Sequence, residues 1–324
     1  MADYINIYGQ DILAVASDPA NPTQGQIWYN TTSNTLKGGG VTTAGTWATG
    51  GNLNTARFYL AGCGTQTAAL GFGGELDPGT SGATEEYDGS TWTTSPGSLN
   101  TARSLLAGAG TQTAGLAFGG NVPATGATEE YDGTSWATSP GSLSTARRYA
   151  AGAGIQTAAL GFGGYDGTAA TGATEEYDGS TWTSNPTGLN TARQRSAGAG
   201  TQTAGLAFGG LIPPPTGATE EYDGSTWTSV NSLNTARHSL GGVGTQTAAL
   251  AFGGTPPATA VTEEYDGTSW TTSPGSMNTA RTGLAGAGTQ TAGLAFGGGV
   301  PGSSNATEEW LGAGSPQTKT ITAS

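Results

Sequence analysis

Two adjacent glutamates, an Asp-Gly dipeptide, a Trp and an Arg lie close together in ATEEYDGSTWTTSPGSLNTAR, residues 83–103. Paired carboxyl groups can act as the acid and the base of glycoside hydrolysis, and carboxylate oxygens also bind calcium. Glu85, Glu86 and Asp88 are therefore the first candidates for catalytic or metal-binding residues. Whether these groups can converge on one substrate depends on the secondary structure that positions them.

The stretch is one copy of an internal repeat. Thr-Ala-Arg recurs six times at intervals of 44 to 46 residues, and each copy is followed by a Gly-Gly doublet and a Glu-Glu pair. A catalytic site needs only one set of residues, so six equal copies argue against an enzyme. Neighbouring residues of a strand point to opposite faces, which separates the two carboxylates of each pair. We therefore predict no catalytic residues.

The repeated charges fit a structural role. Arg and a carboxylate can form two parallel hydrogen bonds, and there are six repeat arginines for six Glu pairs. We predict that one Glu of each pair meets a repeat Arg, within a unit or between units, while the other Glu faces solvent. The arginines are Arg57, Arg103, Arg147, Arg193, Arg237 and Arg281. With the first Glu representing each pair, the glutamates are Glu85, Glu129, Glu175, Glu220, Glu263 and Glu308.

Composition restricts the other classes of function. The 324 residues include one Cys, Cys63, and one His, His238, too few for an internal disulfide or the usual zinc, copper or haem ligands. We expect no metal and no cofactor, and we interpret the Asp-Gly dipeptides as hairpin turns rather than calcium sites. A formal net charge of −13 disfavours nucleic acid and anionic membranes as partners. We also expect no secretory signal and no membrane insertion.

Each repeat predicts four short strands and no helix. In the second copy the strands are 104–110, 113–120, ATEEYDG and TSWATSPG, and an Asp-Gly turn joins the last two. Four antiparallel strands per ~45 residues, repeated six times, are typical of a β-propeller. We therefore predict an all-β, six-bladed propeller.

The ends of the repeat region indicate how the last blade is completed. Trp47 precedes Arg57 by the same interval at which Trp227 precedes Arg237, and the last copy has no DGSTW of its own. We predict that the N-terminal GTWATGG forms the fourth strand of the sixth blade. The predicted domains are a docking segment with a β-hairpin at 1–40, the propeller at 41–311 and a tail at 312–324.

The order of residues within the repeat resembles that of kelch repeats. The features are Gly119-Gly120 after an apolar strand, then Tyr131, Trp136 and the Arg that opens the next unit, with a shorter turn between Tyr and Trp than kelch motifs usually carry. DGSTW also resembles the Asp boxes of sialidases, but there a residue separates Asp from Gly. Kelch-like galactose oxidases use a copper site of Tyr, His and Cys, which a single His and a single Cys do not supply.

The copies differ mainly in two zones, which we call the variable zones. One follows each Gly-Gly, and the other follows each Thr-Ala-Arg and reads FYL, SLL, RYA, QRS, HSL and TGL. Strand alternation places both zones at one end of a propeller, where loops commonly bind ligands. Drift between duplicated copies is the alternative explanation. Because Tyr and Arg are favoured at binding hot spots, the predicted binding residues are Phe58, Tyr59, Arg148, Tyr149, Gln194, Arg195 and His238.

The N-terminal segment differs from the repeats. Residues 20–37 predict a β-hairpin in which Trp28 and Tyr29 pack, and GQIWYNTTSNTLK resembles segments of phage tail-fibre and other virion proteins. The resemblance implies a virion protein, assembled in the host cytoplasm and oligomeric in the particle, whose N-terminal segment docks on other virion proteins. Its propeller would bind a host-surface glycan or a neighbouring virion protein. The alternatives are a purely architectural tail or capsid-decoration protein and a kelch-type protein-binding module.

Overall fold

The computed structural model describes residues 12–19, 22–41, 44–121, 123–299, 301–314 and 316–321. Strands, turns and loops account for all of them, so the all-β prediction is confirmed. None of the described residues belongs to a helix that could cross a membrane. The chain divides into two compact units, one of residues 1–45 and 312–324 and one of residues 46–311.

The described strands, in chain order, begin with those of the smaller unit. These are β1 (Leu13–Val15), β2 (Ile27–Asn30) and β3 (Thr35–Val41). The larger unit opens with β4 (Thr46–Thr49). Sheet 1 contains β5 (Ala61–Thr65), β6 (Ala68–Phe72), β7 (Thr84–Tyr87) and β8 (Trp92–Thr94). Sheet 2 contains β9 (Ala107–Gly110), β10 (Gly115–Phe118), β11 (Thr128–Tyr131) and β12 (Trp136–Thr138).

The later repeats give the same set of strands. Sheet 3 contains β13 (Ala151–Ile155), β14 (Ala158–Phe162), β15 (Thr174–Tyr177) and β16 (Trp182–Asn185). Sheet 4 contains β17 (Ala197–Gly200), β18 (Gly205–Phe208), β19 (Thr219–Tyr222) and β20 (Trp227–Val230). Sheet 5 contains β21 (Gly241–Gly244), β22 (Ala249–Phe252), β23 (Thr262–Tyr265) and β24 (Trp270–Thr272). The remaining strands are β25 (Ala285–Gly288), β26 (Ala292–Phe296), β27 (Thr307–Leu311) and β28 (Pro316–Thr320).

Six antiparallel four-stranded sheets make up the larger unit. In sheets 1 to 5 the strands lie in chain order, and sheet 6 has the order β25-β26-β27-β4. Trp47 of β4 lies opposite Trp310 of β27, which confirms the prediction that GTWATGG adds a strand to the last sheet. The predicted first strand 104–110 is shorter in the structure and begins at Ala107, because Leu105 has a left-handed backbone that a strand does not accept.

The core lies between neighbouring sheets. Phe72 of sheet 1 packs on Trp136 of sheet 2 with ring centroids 4.9 Å apart, and the other five boundaries bury equivalent aromatic clusters. The glycines of the first strands permit this packing. A Cβ built on Gly108 would lie 2.7 Å from the Phe72 ring, so an Ala there would displace the aromatic side chain.

Three side-chain hydrogen bonds are repeated across the sheet boundaries. From sheet 2 to sheet 1, the Gln112 side chain donates to the Tyr87 carbonyl at 2.7 Å, the Trp136 indole donates to Thr84 at 2.8 Å, and the Tyr131 hydroxyl donates to Glu86 at 2.6 Å. Sheet 1 makes the same three bonds to sheet 6 through Gln66, Trp92 and Tyr87. The bonds therefore follow a cyclic order of sheets, which is consistent with a propeller-like fold.

One boundary lacks the tyrosine bond. Glu130, Glu176, Glu221 and Glu309 accept a tyrosine hydroxyl as Glu86 does. Glu264 of sheet 5 does not, because Trp310 of sheet 6 stands where the other sheets have the tyrosine and donates to the Gln290 carbonyl instead. Of the three repeated side-chain hydrogen bonds, the boundary between sheets 5 and 6 therefore has only two, which Trp47 and Gln290 donate.

Replacing Tyr131 by Phe is expected to lower the free energy of unfolding by about 1–2 kcal/mol, because the half-buried Glu86 carboxylate loses a hydrogen bond. Burial raises the pKa of Tyr131 to about 12, so its hydroxyl is a donor at neutral pH. Chemical denaturation measures the change. Tyr29→Phe is the control, since that exposed hydroxyl makes only a 3.5 Å contact; equal losses in the two variants would contradict the prediction.

The smaller unit contains one four-stranded sheet with the order β1-β2-β3-β28. The predicted hairpin is present as β2 and β3, and Trp28 is fully buried with its indole donating to Asp18 at 2.9 Å. Tyr29 was expected to pack but is 38% exposed, because alternate strand residues point to opposite faces. The predicted tail 312–324 includes β28, which pairs along β3. Residues 1–11, 20–21, 315 and 322–324 of the predicted docking segment and tail lie outside the described residues.

The Asp-Gly dipeptides form hairpin turns in which the Asp side chain caps the turn. Asp88 accepts hydrogen bonds from the amides of Ser90 at 2.8 Å and Thr91 at 2.7 Å. These bonds stabilise the carboxylate and lower the pKa of Asp88 to about 2. Asp132, Asp178 and Asp223 have the same environment and the same pKa.

Acid is expected to destabilise the protein through these four turns. A carboxyl group whose folded-state pKa lies below its unfolded value of ~3.9 contributes stability above that value and loses it as the pH falls through the folded pKa. The free energy of unfolding should therefore decline between about pH 4 and pH 2. In a variant with Asn at all four positions, which keeps the acceptor oxygen but does not titrate, this decline should be shallower. Identical profiles for the two proteins would overturn the assignment.

Candidate functional site

The two variable zones lie side by side. In five of the six repeats the residue after the repeat Arg forms an isolated β-bridge with the residue after the Gly-Gly doublet, as in Phe58 with Glu75 and Arg148 with Tyr165. The same bridge joins Gln194 to Leu211, His238 to Thr255 and Thr282 to Gly299. Residues that differ between copies are therefore concentrated on one surface.

A ring of six equivalent residues occupies the centre of this surface. Each stands two positions after a repeat Arg and has a left-handed backbone, with φ between 50° and 63°. The amide of each donates to the carbonyl of the preceding one at 2.7–3.0 Å, and the first donates to the sixth. The residues, here called the axial ring, are Tyr59, Leu105, Tyr149, Arg195, Ser239 and Gly283.

The axial ring holds its side chains at an energetic cost. A left-handed conformation costs an L-residue with a Cβ of the order of 1–2 kcal/mol, and only Gly283 avoids that cost. The closed set of backbone hydrogen bonds offsets it and fixes the positions of the six Cα atoms. The side chains differ between repeats, but the backbone that carries them is held in one conformation. A rigid backbone of this kind is what a preorganised binding site requires.

A cavity of about 100 Å³ opens at the axial ring. Its wall consists of the six ring residues and the residue that follows each of them. Those following residues are Leu60, Leu106, Leu240 and Leu284 in four copies, but Ala150 and Ser196 in the two copies that carry Tyr149 and Arg195. On the side of Tyr149 and Arg195 the cavity wall therefore has shorter side chains and more polar groups than elsewhere.

Three side chains of the axial ring meet across the cavity. The guanidinium carbon of Arg195 lies 4.2 Å from the Tyr149 ring centroid and 5.9 Å from that of Tyr59, and Arg195 donates to the Tyr149 hydroxyl at 2.9 Å. Tyr59 and Tyr149 pack edge to face at 5.6 Å, although they come from the first and third repeats. Tyr59 also covers Gly283, where an added Cβ would lie 2.9 Å from its ring.

The other predicted binding residues surround this cluster. Phe58 packs on Tyr59 at 5.1 Å, and the guanidinium of Arg148 lies 5.1 Å from Tyr165 and 5.8 Å from Tyr149. His238 Nδ1 lies 3.1 Å from Ser239 Oγ. Burial and, secondarily, the charge of Arg195 lower the pKa of His238, which keeps the imidazole neutral at physiological pH.

The structure thus separates the seven predicted binding residues into three groups. Tyr59, Tyr149 and Arg195 line the cavity; Phe58, Arg148 and His238 stand beside it; and Gln194 forms a backbone bridge to Leu211. Sequence reasoning missed Leu105, Ser239, Gly283 and Ser196. These residues stand at a constant number of positions after the repeat Arg, and that spacing was the available signal. It indicates that they line one cavity only when their left-handed backbone conformation is known.

The acidic pairs with which the sequence analysis began form buried structural contacts. Arg57 meets Glu85 at 2.8 Å with both side chains 0% exposed, and a pair of the same kind occurs within each of the other sheets. The equivalent pairs are Arg103–Glu129, Arg147–Glu175, Arg193–Glu220, Arg237–Glu263 and Arg281–Glu308. The second Glu was expected to face solvent; in five repeats it instead accepts the tyrosine hydroxyl of the next sheet.

Eleven of the twelve paired carboxylates are therefore engaged within the scaffold, and Glu264 is the exception. Glu85 also accepts the amide of Asn54 at 2.6 Å, and the neighbouring Glu86 points to the opposite face of β7. Across the described parts of the chain, no three His, Cys, Asp or Glu side chains come together in a way that could hold a metal ion. The cavity at the axial ring, where residues that differ between repeats meet, is the candidate functional site.

Neither a protein-family model nor a curated protein sequence matches the chain. The structure itself defines the class: an all-β protein built from repeated antiparallel four-stranded sheets, with a polar and aromatic cavity among the residues that differ between repeats.

Proposed function

We propose that the chain is a non-enzymatic structural protein of a phage virion, associated with the tail or a fibre, whose larger unit is a six-bladed kelch-like β-propeller. The surface formed by the two variable zones, here called the variable surface, binds a glycan on the host. The observation that carries the binding function is the cluster of Tyr59, Tyr149 and Arg195 around the cavity.

The cyclic order of contacts supports the propeller. Sheet 1 donates to sheet 6 with the same Gln, Trp and Tyr side chains that sheet 2 uses toward sheet 1. The axial ring returns to its starting residue after six hydrogen bonds, from Tyr59 through to Gly283 and back. Six repeats joined in one cycle are what a six-bladed propeller requires.

The distribution of positive charge supports ligand binding at the variable surface. Residues 46–311 contain eight Arg and no Lys, and six of these arginines form the buried ion pairs. The other two, Arg148 and Arg195, both lie beside Tyr149. Ligand sites commonly combine aromatic walls with a few oriented polar groups, and aromatic rings with Arg suit the apolar faces and hydroxyls of a sugar.

The proposed virion role rests on the smaller unit. GQIWYNTTSNTLK, which resembles segments of phage structural proteins, forms the hairpin of β2 and β3 around the buried Trp28. In the proposal this unit docks on other virion proteins, the protein is oligomeric in the particle, and neither nucleic acid nor membrane is a partner. The repeat acids are structural, which agrees with a protein that has no catalytic role.

A glycan array probed with the full chain tests the binding function. We expect a signal for a subset of glycans, and we expect Tyr149→Ser to reduce it at least tenfold because the change removes an aromatic wall but keeps a residue type found at the equivalent position of Ser239. Tyr29→Ser in the smaller unit is the control and should leave the signal unchanged.

The alternatives give different results. A blank array, together with a cryo-EM map of the particle in which the variable surface is covered by neighbouring subunits, would replace glycan binding with an architectural role. Absence of the chain from purified particles would overturn the virion assignment.

A further inference from the structure

We infer that the cavity at the axial ring accepts the carboxylate of an acidic sugar, with Arg195 and Ser196 as its donors and the two tyrosines as the walls against which the sugar lies. The inference rests on the proposed glycan binding and specifies the class of glycan. Four independent features of the cavity lead to it.

The first feature is local space. Each Leu that follows an axial-ring residue packs on the first glycine of a Gly-Gly doublet: Leu60 lies 2.7 Å from a Cβ built on Gly297, and Leu284 lies 3.0 Å from one built on Gly253. At Gly119 and Gly163 the shorter Ala150 and Ser196 replace that Leu: the nearest side-chain atoms to a built Cβ are Leu143 Cδ1 at 3.4 Å and Leu189 Cδ1 at 3.2 Å, and Ser196 Oγ lies 3.8 Å from the Cβ on Gly163. The extra room is therefore next to Tyr149 and Arg195.

The second feature is a set of donors without acceptors. Arg195 has five N–H groups, and among the described residues its side chain donates only to the Tyr149 hydroxyl. Ser196 Oγ is buried and has no hydrogen-bond partner within the described structure. A buried hydroxyl without a partner carries a desolvation cost of about 1–3 kcal/mol, which a ligand acceptor would remove.

The third feature is a missing counter-ion. Every repeat Arg of the larger unit meets a Glu, whereas neither Arg195 nor Arg148 lies within ion-pair distance of any described carboxylate. Burial lowers the pKa of His238, which lies beside Ser239, so its imidazole adds no positive charge to the site at neutral pH. A carboxylate on the ligand would complete the charge pattern that the rest of the unit already has, in the geometry that Arg prefers.

The fourth feature is the size and surface of the cavity. At about 100 Å³ it is smaller than the ~300–1,000 Å³ of a pocket that encloses a whole ligand, so it takes an end group. The hydroxyl-bearing residues Tyr59, Tyr149, Ser196 and Ser239 all line it. Hydroxyl groups around an aromatic wall favour a polyhydroxylated ring over an extended peptide, which would need unpaired backbone along a groove.

The test compares ligands that differ only in the acid. Calorimetric titration of the full chain with glucuronic acid, with glucose and with acetate separates the sugar from the charge, and an array of acidic and neutral glycans extends the comparison to larger ligands. We expect acidic saccharides to bind at least tenfold more tightly than their neutral counterparts and than acetate. Arg195→Gln should abolish the difference, Ser196→Ala should reduce it severalfold, and Lys37→Gln, which removes one positive charge from the smaller unit, should leave it unchanged.

Each other outcome overturns the inference in a distinguishable way. Equal binding of neutral and acidic glycans, unaffected by Arg195→Gln, would reject the acid and leave glycan binding in place. If acetate binds as tightly as glucuronic acid, the site recognises an anion and not a sugar. Tighter binding of an acidic peptide than of any saccharide would replace the ligand class, and no binding by any saccharide would overturn the proposed function together with the inference. Circular dichroism of Arg195→Gln establishes that the variant is folded.

Discussion

Replacing Arg147 by Met is expected to lower the free energy of unfolding by about 3–5 kcal/mol, because it leaves the Glu175 carboxylate buried without its counter-ion. Arg147 is 0% exposed and Glu175 is 1% exposed, with 2.9 Å between the charged atoms. Glu175 retains one strong hydrogen bond, from the Ser144 amide at 2.6 Å, so it stays anchored in the same place. Chemical denaturation at neutral pH measures the loss.

The matched control is the next residue along the chain. Arg148 is half-buried and meets none of the described carboxylates, so Arg148→Met should change the free energy of unfolding by no more than about 0.5 kcal/mol. The double variant Arg147→Met/Glu175→Met should recover part of the single-variant loss, since it removes the isolated charge. Equal effects of Arg147→Met and Arg148→Met would show that the repeat arginines are not the structural ones.

Trp47→Ala is expected to cost about 3–5 kcal/mol, the usual range for deleting a large buried aromatic side chain. Trp47 packs on Phe252 of sheet 5 at 5.2 Å and on Trp310 at 5.4 Å, and its indole donates to Thr262 at 2.8 Å. The same change at Trp136 removes the equivalent contacts from sheet 2 and should cost as much. The comparison tests whether the N-terminal strand completes the last sheet.

Two results separate the alternatives for Trp47. A loss close to that of Trp136→Ala supports completion of sheet 6 by β4, whereas a loss below ~1 kcal/mol would mean that residues 46–49 do not pack there. Ala48→Ser is the local control, because the Ala48 side chain is exposed on the same strand and its replacement should be neutral.

The repeat determined most of what the sequence could predict. The positions of the repeat arginines, Glu pairs and tryptophans were sufficient to predict six four-stranded sheets. They also predicted that the strand containing Trp47 belongs to the last of these sheets. Periodicity works here because each unit buries its apolar face only against a neighbour, so the same residue types must recur at the same interval. The same recurrence is the reason why the sequence predicts a structural role for the acid pairs.

The remaining features depend on backbone conformation and on contacts between units. Nothing in SLL, RYA or QRS indicates that Leu105, Tyr149 and Arg195 share a left-handed conformation, because these residue types rarely adopt it. The bond from Tyr131 to Glu86 joins residues of different repeats, and a strand pattern within one repeat does not reveal it. The shorter side chain of Ala150 leaves space at the cavity wall, and this is recognised only by comparison with the Leu residues at the equivalent positions.

The pairing of β4 with β27 has a consequence for the order of events during synthesis. Trp47 must wait for Trp310, which is made about 260 residues later, so at ~5–20 residues per second the strand spends on the order of tens of seconds without its partner. Meanwhile β5 to β24 can assemble on one another in sequence, since sheets 2 to 5 each donate these hydrogen bonds to the sheet before, whereas sheet 1 donates to sheet 6. Completion of the last sheet is thus a single late step that couples the two ends of the repeat region, and a ribosome-bound chain would expose an unpaired edge until that step occurs.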